Sequence, residues 1–170
     1  SEVSGVPQDL LGADVDINAA GDRIVAISSP GGYVQVYQYN DNLDTWDLHG
    51  SPIVYTPPVG ASGGQPKSSR FNAVGDKLLI GWTGENLNGT VSGIAKLYQY
   101  TNNWQEMATM YGENNNDAFG SGVAITDSGD FFAVGAPFND TGANQAGQVC
   151  FYTTQTPVSY THLRAHETSQ

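Results

Sequence analysis

A Gly-Asp dipeptide recurs along this chain at a constant spacing of 54 residues, at positions 21–22, 75–76 and 129–130. Each copy lies between two short apolar segments. Three other residues of the second copy recur at the same spacing in the third: Gly81, Gly93 and Tyr98. A fixed period of this length indicates a repeat architecture, in which each repeat buries its apolar surface against its neighbours.

Each repeat is predicted to consist of strands joined by tight turns. In the third repeat, segment 123–126 alternates large apolar residues with smaller or polar ones, which is typical of a half-buried strand. Segment 131–134 is a short apolar run, and segment 148–152 alternates again. In the second repeat, segment 104–110 is predicted to be a fourth strand. We therefore predict an all-β fold, a partial β-propeller of about three four-stranded antiparallel blades.

The same alternation predicts which side chains are buried, because every second residue of a strand faces the neighbouring sheet. In the third repeat these residues are Val123, Ile125, Ala133, Val134, Val149 and Phe151. Their counterparts in the first repeat are Val15, Ile17, Val25, Ile27, Val34 and Val36. The single cysteine, Cys150, is expected to be a buried small hydrophobe.

The third repeat also carries two short motifs in a defined order. Phe119-Gly120 precedes the first strand, and Gly135-Ala136-Pro137 follows the second. This order resembles the FG-GAP repeat, which is named after such a Phe-Gly pair and such a Gly-Ala-Pro triplet. The resemblance covers residues 9–157 and implies a β-propeller of the integrin α-subunit type, usually with about seven blades.

The other two repeats have the same order of strands and turns but different residues at the two motif positions. The first has Leu11-Gly12 in place of Phe-Gly and Ser28-Ser29-Pro30 in place of the triplet. The second has Gly81-Trp82-Thr83 in the triplet position and no Phe-Gly pair. The third repeat therefore carries the resemblance.

The period divides the chain into blades at about residues 9–50, 51–110 and 111–157. Three blades do not close a ring of the usual size, so we expect a fragment of a longer propeller. Residues 158–170 break the repeat and resemble a translated sequencing-adapter tail. We expect this segment to be non-native, with a genuine linker as the alternative.

The chain is strongly acidic, with 6 Lys and Arg against 17 Asp and Glu and a net charge of −11. This charge repels phosphate backbones and anionic membrane surfaces, so we expect no nucleic-acid partner. No apolar stretch reaches the roughly 18 residues of a membrane-spanning helix. The acidic, hydroxyl-rich composition favours an extracellular or cell-surface location.

Candidate metal ligands are few. Asp14, Asp16 and Asn18 have the spacing of a calcium loop, but the apolar residues between them indicate a strand. Loop 138–146 is the better cluster of oxygen donors. We predict no metal and no cofactor, with calcium at this loop as the alternative.

No catalytic motif is recognisable in the three repeats. His49 is the only histidine before the terminal segment, and no Ser-His-Asp set can be assembled around it. The glycine-rich stretch 60–64 lacks the lysine of a phosphate-binding loop. The sequence therefore predicts that this protein is not an enzyme.

The predicted function is that of a non-catalytic extracellular module for recognition, adhesion or scaffolding. The alternative is a propeller domain of a larger secreted hydrolase or lyase, whose catalytic residues lie outside this chain. Loops 83–92 and 138–146 occupy matching places in adjacent repeats and could bind a protein or carbohydrate ligand. The predicted ligand-binding residues are Asn86, Asn88, Asn139, Asp140 and Asn144.

Overall fold

The computed structural model describes residues 2–57, 63–84, 86–87, 90–154 and 161–163, with only the backbone described at 86–87, 90–91 and 161–163. All of its sheets are antiparallel. The first sheet contains β1 (Leu11–Ile17), β2 (Arg23–Ser28), β3 (Tyr33–Asn40) and β4 (Thr45–Leu48) in that order, with β5 (Ile53–Val54) also paired to β3.

The second and third sheets repeat this meander. The second contains β6 (Gln65–Phe71), β7 (Lys77–Thr83), β10 (Ile94–Tyr100) and β11 (Trp104–Tyr111). A small hairpin of β8 (Asn86–Leu87) and β9 (Thr90–Val91) lies between β7 and β10 along the chain. The third sheet contains β12 (Gly122–Ile125), β13 (Phe131–Ala136), β14 (Gln148–Thr153) and β15 (Thr161–Leu163).

The prediction of an all-β fold with three four-stranded antiparallel blades is confirmed. We call the three sheets blade 1, blade 2 and blade 3 in chain order. The fourth strand of blade 3, β15, falls within the segment that the sequence predicts to be a non-native tail, and it pairs with β14. The other residues of segment 158–170 lie outside the described residues.

The blades pack face to face through two apolar clusters, and β7 supplies side chains to both. Leu78, Ile80 and Trp82 are fully buried against blade 1, where they meet Val25 among others. Leu79 points to the opposite face and is fully buried against blade 3. This alternation follows from the two-residue period of a strand, and it makes blade 2 a sheet that is covered on both faces.

Four of the residues predicted to be buried are exposed. Val149 and Phe151 are 45% and 43% exposed, whereas Cys150 and Tyr152 of the same strand are buried. Val15 and Ile17 are 61% and 55% exposed. Their equivalents in blade 2, 54 residues along the repeat, are buried between blades: Leu97 aligns with Phe151 and Phe71 with Ile17.

The reason for these exposures is position in the arc. Val15 and Ile17 lie on the face of blade 1 that no described blade covers, and Val149 and Phe151 lie on the corresponding free face of blade 3. The side chains therefore occupy core positions of the repeat at the two ends of the arc. By contrast, Cys150 is buried as predicted, and burial raises the pKa of its thiol.

The Gly-Asp repeat is a hairpin turn held by a side chain four residues before the Asp. In blade 2 the Asn72 Oδ1 accepts the backbone N–H groups of Gly75 (3.1 Å), Asp76 (3.1 Å) and Lys77 (2.9 Å). Its Nδ2 donates to the Asp76 carboxylate at 2.8 Å. Asn18 makes a similar set of bonds in blade 1: its Oδ1 accepts the N–H groups of Asp22 and Arg23, and its Nδ2 donates to the Asp22 carboxylate.

These turns also connect one blade to the next. Arg23 of blade 1 donates to the carbonyl oxygens of Val74 and Gly75 in the blade 2 turn, at 3.3 and 3.1 Å. Lys77, its equivalent in blade 2, donates to the carbonyl oxygens of Ser128 and Gly129 in the blade 3 turn. A basic residue directly after Gly-Asp therefore ties its blade to the following one.

Candidate active site between the inner strands

The first strand of each blade lies at the inside of the arc. β1, β6 and β12 are each the edge strand of their own sheet. β6 contacts both β1 and β12, so the three strands follow one another across the blades. Edge strands leave backbone groups unpaired, and these must find other partners or water.

Two carboxylates on β1 satisfy the backbone of β6. Asp14 Oδ2 accepts the N–H of Ser69 at 2.7 Å, and Asp16 Oδ2 accepts the N–H of Phe71 at 2.8 Å. The guanidinium of Arg70 donates to the same oxygen of Asp14 at 3.1 Å. Asp14 and Asp16 thus act as links between blades from within β1, whose pairing with β2 is irregular between Leu11 and Val15.

A cavity of about 310 Å³ opens where these strands end. It is lined by equivalent segments of all three blades: residues 16–19 of blade 1, 70–73 of blade 2, and Ala124, Ile125 and Asp127 of blade 3. We call it the axial pocket. Its charged groups are the carboxylates of Asp16 and Asp127 and the guanidinium of Arg70. The Arg70 side chain is 42% exposed and Asp127 is exposed, so both are accessible to a ligand.

This arrangement can bind a polar, sugar-sized molecule. Its volume is at the lower end of the roughly 300–1,000 Å³ that small-molecule sites occupy. One cation beside two carboxylates offers a donor for a negatively charged oxygen and acceptors for hydroxyl groups. Among the described residues, no group of three or more His, Cys, Asp or Glu side chains lies close enough together to hold a metal ion.

The predicted ligand-binding residues lie elsewhere. Asp140 and Asn144 are exposed on the loop between β13 and β14, and Asp140 Oδ1 accepts the N–H of Gln145 at 2.6 Å. Asn139 is buried, with 1% exposed, and its Nδ2 donates to the Asp117 carboxylate at 2.7 Å. The Asn139 amide therefore holds the two loops together, and ligand binding by Asn139 stays a prediction.

The other two predicted residues, Asn86 and Asn88, lie partly or wholly outside the described residues. The backbone of Asn86 lies in β8, and its side chain is outside the described residues, as is the whole of Asn88. None of the described predicted residues lines the axial pocket. Ligand binding by these two loops stays a prediction.

Sequence reasoning did not single out Arg70 or Asp127 as site residues and placed Asp16 on a strand. No local motif joins these residues, since they come from three blades. The repeat itself holds a usable signal: residues 16, 70 and 124 are equivalent at the 54-residue spacing, and all three line the pocket. The first strand of each propeller repeat is therefore the place to search for site residues.

Comparison with known proteins gives a fold and no family. No protein-family model and no curated protein matches the sequence. Among solved structures, the periplasmic gluconolactonase PpgL of Pseudomonas aeruginosa aligns over 89% of this chain with a TM-score of 0.60 and 14% identity. A provisionally named 6-phosphogluconolactonase of Bacteroides fragilis aligns over 89% with a TM-score of 0.58 and 16% identity.

A similarly named protein of Bacteroides uniformis aligns over 88% of the chain, with a TM-score of 0.53 and 11% identity. The chain spans only 36–38% of the length of these three structures. Within the described residues, no helix is long and apolar enough to cross a membrane.

The resemblance to FG-GAP proteins is corrected by this comparison, because three solved structures that share the fold carry lactonase names and not FG-GAP names. The motif has a packing explanation. Phe119 is 2% exposed within the cluster between blades 2 and 3. The neighbouring Gly120 has a φ of 87° and lies against the backbone of Gly81 and Trp82. The Phe-Gly pair therefore serves the close approach of blades 2 and 3.

The prediction that the chain is not an enzyme is corrected by the same finding, together with the predicted adhesion and binding-module roles. One similar fold is named a gluconolactonase, and two are provisionally named 6-phosphogluconolactonases. The sequence contains no local catalytic motif, and a propeller can assemble a central site from residues of several blades. The findings favour the alternative of a propeller domain from an enzyme.

Proposed function

We propose that these blades belong to a propeller hydrolase that opens a sugar lactone, and that the axial pocket binds this substrate. The observation that carries the proposal is the convergence of Asp16, Arg70 and Asp127 from three successive blades in one cavity of about 310 Å³. The lactonase names of three similar folds suggest the substrate class.

The pocket residues suit the chemistry of lactone opening. A water molecule attacks the ester carbonyl, the bond from that carbon to the ring oxygen breaks, and the ring oxygen takes up a proton to give a hydroxy acid. Negative charge develops on the carbonyl oxygen, which a guanidinium such as that of Arg70 stabilises. A carboxylate such as that of Asp127 can accept the proton of the attacking water.

Asp16 suits a positioning role. One of its oxygens is held by the backbone N–H of Phe71, so the carboxylate has a fixed direction at the pocket wall. A fixed carboxylate is a good acceptor for the hydroxyl groups of a sugar. Blades from the rest of the protein complete the pocket in this proposal, in line with the 36–38% of each similar structure that the chain spans.

A location outside the cytoplasm fits this function. One of the similar structures is a periplasmic gluconolactonase. The net charge of −11 makes a small neutral sugar derivative a better ligand than a nucleic acid.

The test is a hydrolysis assay on the complete protein that contains these blades. Gluconolactone and its 6-phosphate are supplied in turn, and acid release is followed in a pH-stat above the uncatalysed rate. Arg70→Ala is expected to lower kcat/KM about 100-fold, as for loss of one oxyanion donor. Asp127→Asn is expected to lower kcat by about 100-fold or more, as for loss of a general base.

Lys67→Ala is the matched control, because Lys67 is an exposed basic residue on the same strand as Arg70 and does not line the pocket. Its activity should equal that of the unmodified protein. The proposal fails if neither lactone is hydrolysed above background, or if Arg70→Ala and Lys67→Ala behave alike.

A further inference from the structure

Two polar loops of blade 3 meet around the buried carboxylate of Asp117. Neither loop lines the axial pocket. The first loop, residues 113–117, precedes β12, and the second, residues 139–144, connects β13 to β14. Asn139 Nδ2 donates to Asp117 Oδ2 at 2.7 Å, and Asn114 Nδ2 donates to Thr141 Oγ1 at 3.4 Å. The N–H of Phe138 donates to the carbonyl oxygen of Asp117.

The two oxygens of Asp117 have different surroundings, although the residue is only 1% exposed. Oδ2 accepts from the backbone N–H of Asn114 (2.9 Å) and from the amides of Asn114 and Asn139. Oδ1 is buried and has no hydrogen-bond partner among the described residues. A buried carboxylate oxygen without a partner is unfavourable, so a positive or donating group beside Oδ1 would stabilise the folded chain.

Among the described residues, no basic side chain forms an ion pair with Asp117. In the described part of the chain, the three ion pairs are Arg70–Asp14, Lys77–Asp130 and Lys96–Glu106. Arg23 donates to the carbonyl oxygens of the blade 2 turn. These basic side chains therefore bind partners at the inner strands, at the Gly-Asp turns and on the β10–β11 pair.

The surroundings of Asp117 are acidic and rich in oxygen. Glu113 lies four residues before Asp117 in the first loop. The two loops also offer the side-chain oxygens of Asn115, Asn116, Asp140, Thr141 and Asn144, together with backbone carbonyl oxygens.

From these observations we infer that blade 3 binds a calcium ion between loops 113–117 and 139–144, with Asp117 Oδ1 as its buried carboxylate ligand. Carboxylate, amide and carbonyl oxygens on irregular loops suit Ca²⁺, which accepts six to eight oxygens in flexible geometry. Mg²⁺ demands a stricter octahedral arrangement and fits such loops less well. With one buried carboxylate, the expected Kd is about 10⁻⁴–10⁻³ M, as in extracellular calcium modules.

This site is separate from the proposed lactonase activity, and its test does not depend on catalysis. Ca²⁺ is titrated into the EDTA-treated chain by isothermal calorimetry, and thermal unfolding is followed in parallel. A ligand at about 100 times its Kd should raise the Tm of a chain of this size by about 5 °C or more. Mg²⁺ at the same concentration should give a clearly smaller rise.

Asp117→Asn should abolish both the heat of binding and the rise in Tm. Asp41→Asn removes one exposed carboxylate from blade 1 and should leave both unchanged. If Asp117→Asn does not fold, Asp140→Asn provides the second variant: it leaves the Asn139–Asp117 bond in place and should weaken Ca²⁺ binding about 10-fold.

Several results would overturn the inference. One is the absence of heat and of any Tm shift in the unmodified chain up to about 100 mM Ca²⁺, about 100 times the weaker expected Kd, which would assign the buried oxygen to a proton or a water molecule. Another is a Ca²⁺ response that persists in Asp117→Asn, which would indicate diffuse binding to the acidic surface.

Discussion

Gly81 of β7 and Gly120 lie so close together that a Cβ atom on Gly81 would overlap the carbonyl group of Gly120. The contact joins the backbones of blades 2 and 3, and Ser68 Oγ donates to the same carbonyl oxygen at 2.9 Å. Gly81 therefore sets the distance between these two blades.

Gly81→Ala should destabilise the chain by about 2–3 kcal/mol, because a methyl group in a closely packed backbone contact forces the blades apart. Gly122→Ala is the control, since a Cβ at Gly122 meets nothing within 4 Å. Urea unfolding of both variants measures the difference. Equal stability of the two would show that the blades are free to separate slightly at no cost.

Asn72→Ala should destabilise blade 2 by about 2–3 kcal/mol, since its buried oxygen accepts three backbone N–H groups that would lose their partner. Asn42→Ala removes an exposed asparagine and should change the stability by less than about 0.5 kcal/mol. Hydrogen exchange should locate the loss, because the amides of Gly75, Asp76 and Lys77 should exchange faster in Asn72→Ala. Unchanged protection at these amides would show that water replaces the side chain without penalty.

The periodicity of the sequence predicts the strands and blades well but leaves two kinds of error. In β14 both alternating sets are apolar, so the pattern alone does not decide whether Val149 and Phe151 or Cys150 and Tyr152 face blade 2. The structure buries the second pair, because Tyr152 aligns with Tyr98, which faces the preceding blade. Burial at the ends of the arc depends on a neighbouring blade, which no pattern within one repeat reveals.

The axial pocket was harder to predict for a related reason. Asp16 and Arg70 are 54 residues apart, and their proximity follows only once each first strand is placed at the inside of the arc. Asp117 shows the same limit. Its burial results from a contact with Asn139 across two loops, whereas the sequence shows only an acidic, asparagine-rich stretch.

Stability should fall as the pH decreases through the range of histidine titration. Burial lowers the pKa of His49, and the positive charge of Arg23 adds to this, while Asp22 opposes it. The ring stacks on Tyr100 with 3.9 Å between centroids, and its Nε2 is buried with no partner among the described residues. The folded state thus favours neutral His49, so the unfolded state binds more protons at low pH.

The contribution of neutral His49 is fully present above the unfolded pKa of about 6.5 and is lost as the pH falls below it. Urea unfolding at pH 7.5 and pH 5.0 measures the loss. His49→Phe keeps a flat ring against Tyr100 without a titrating group, so its stability should change less between these two pH values. An identical pH dependence in the variant would assign the effect to other groups.

The isolated chain is expected to self-associate through its two free blade faces. Phe151 is 43% exposed, whereas its repeat equivalent Leu97 is 3% exposed, and Ile17 differs in the same way from Phe71. The free face of blade 1 also forms an apolar cavity of about 460 Å³, lined in part by Val15 and Ile17. Exposed apolar surface of this kind favours association. We expect the free face of blade 1 to pack on the free face of blade 3 of a second copy, as successive blades pack within one chain.

Sedimentation velocity at increasing protein concentration should therefore show dimers or larger species. The double variant Val149→Thr, Phe151→Ser should shift the distribution toward monomer, because it removes apolar surface from the blade 3 face alone. Met107→Ser is the control: Met107 is 63% exposed on β11, the edge strand of blade 2 farthest from β6, and its loss should leave association unchanged. A chain that stays monomeric at all concentrations, or a double variant that associates like the unmodified chain, would show that these faces do not bind each other.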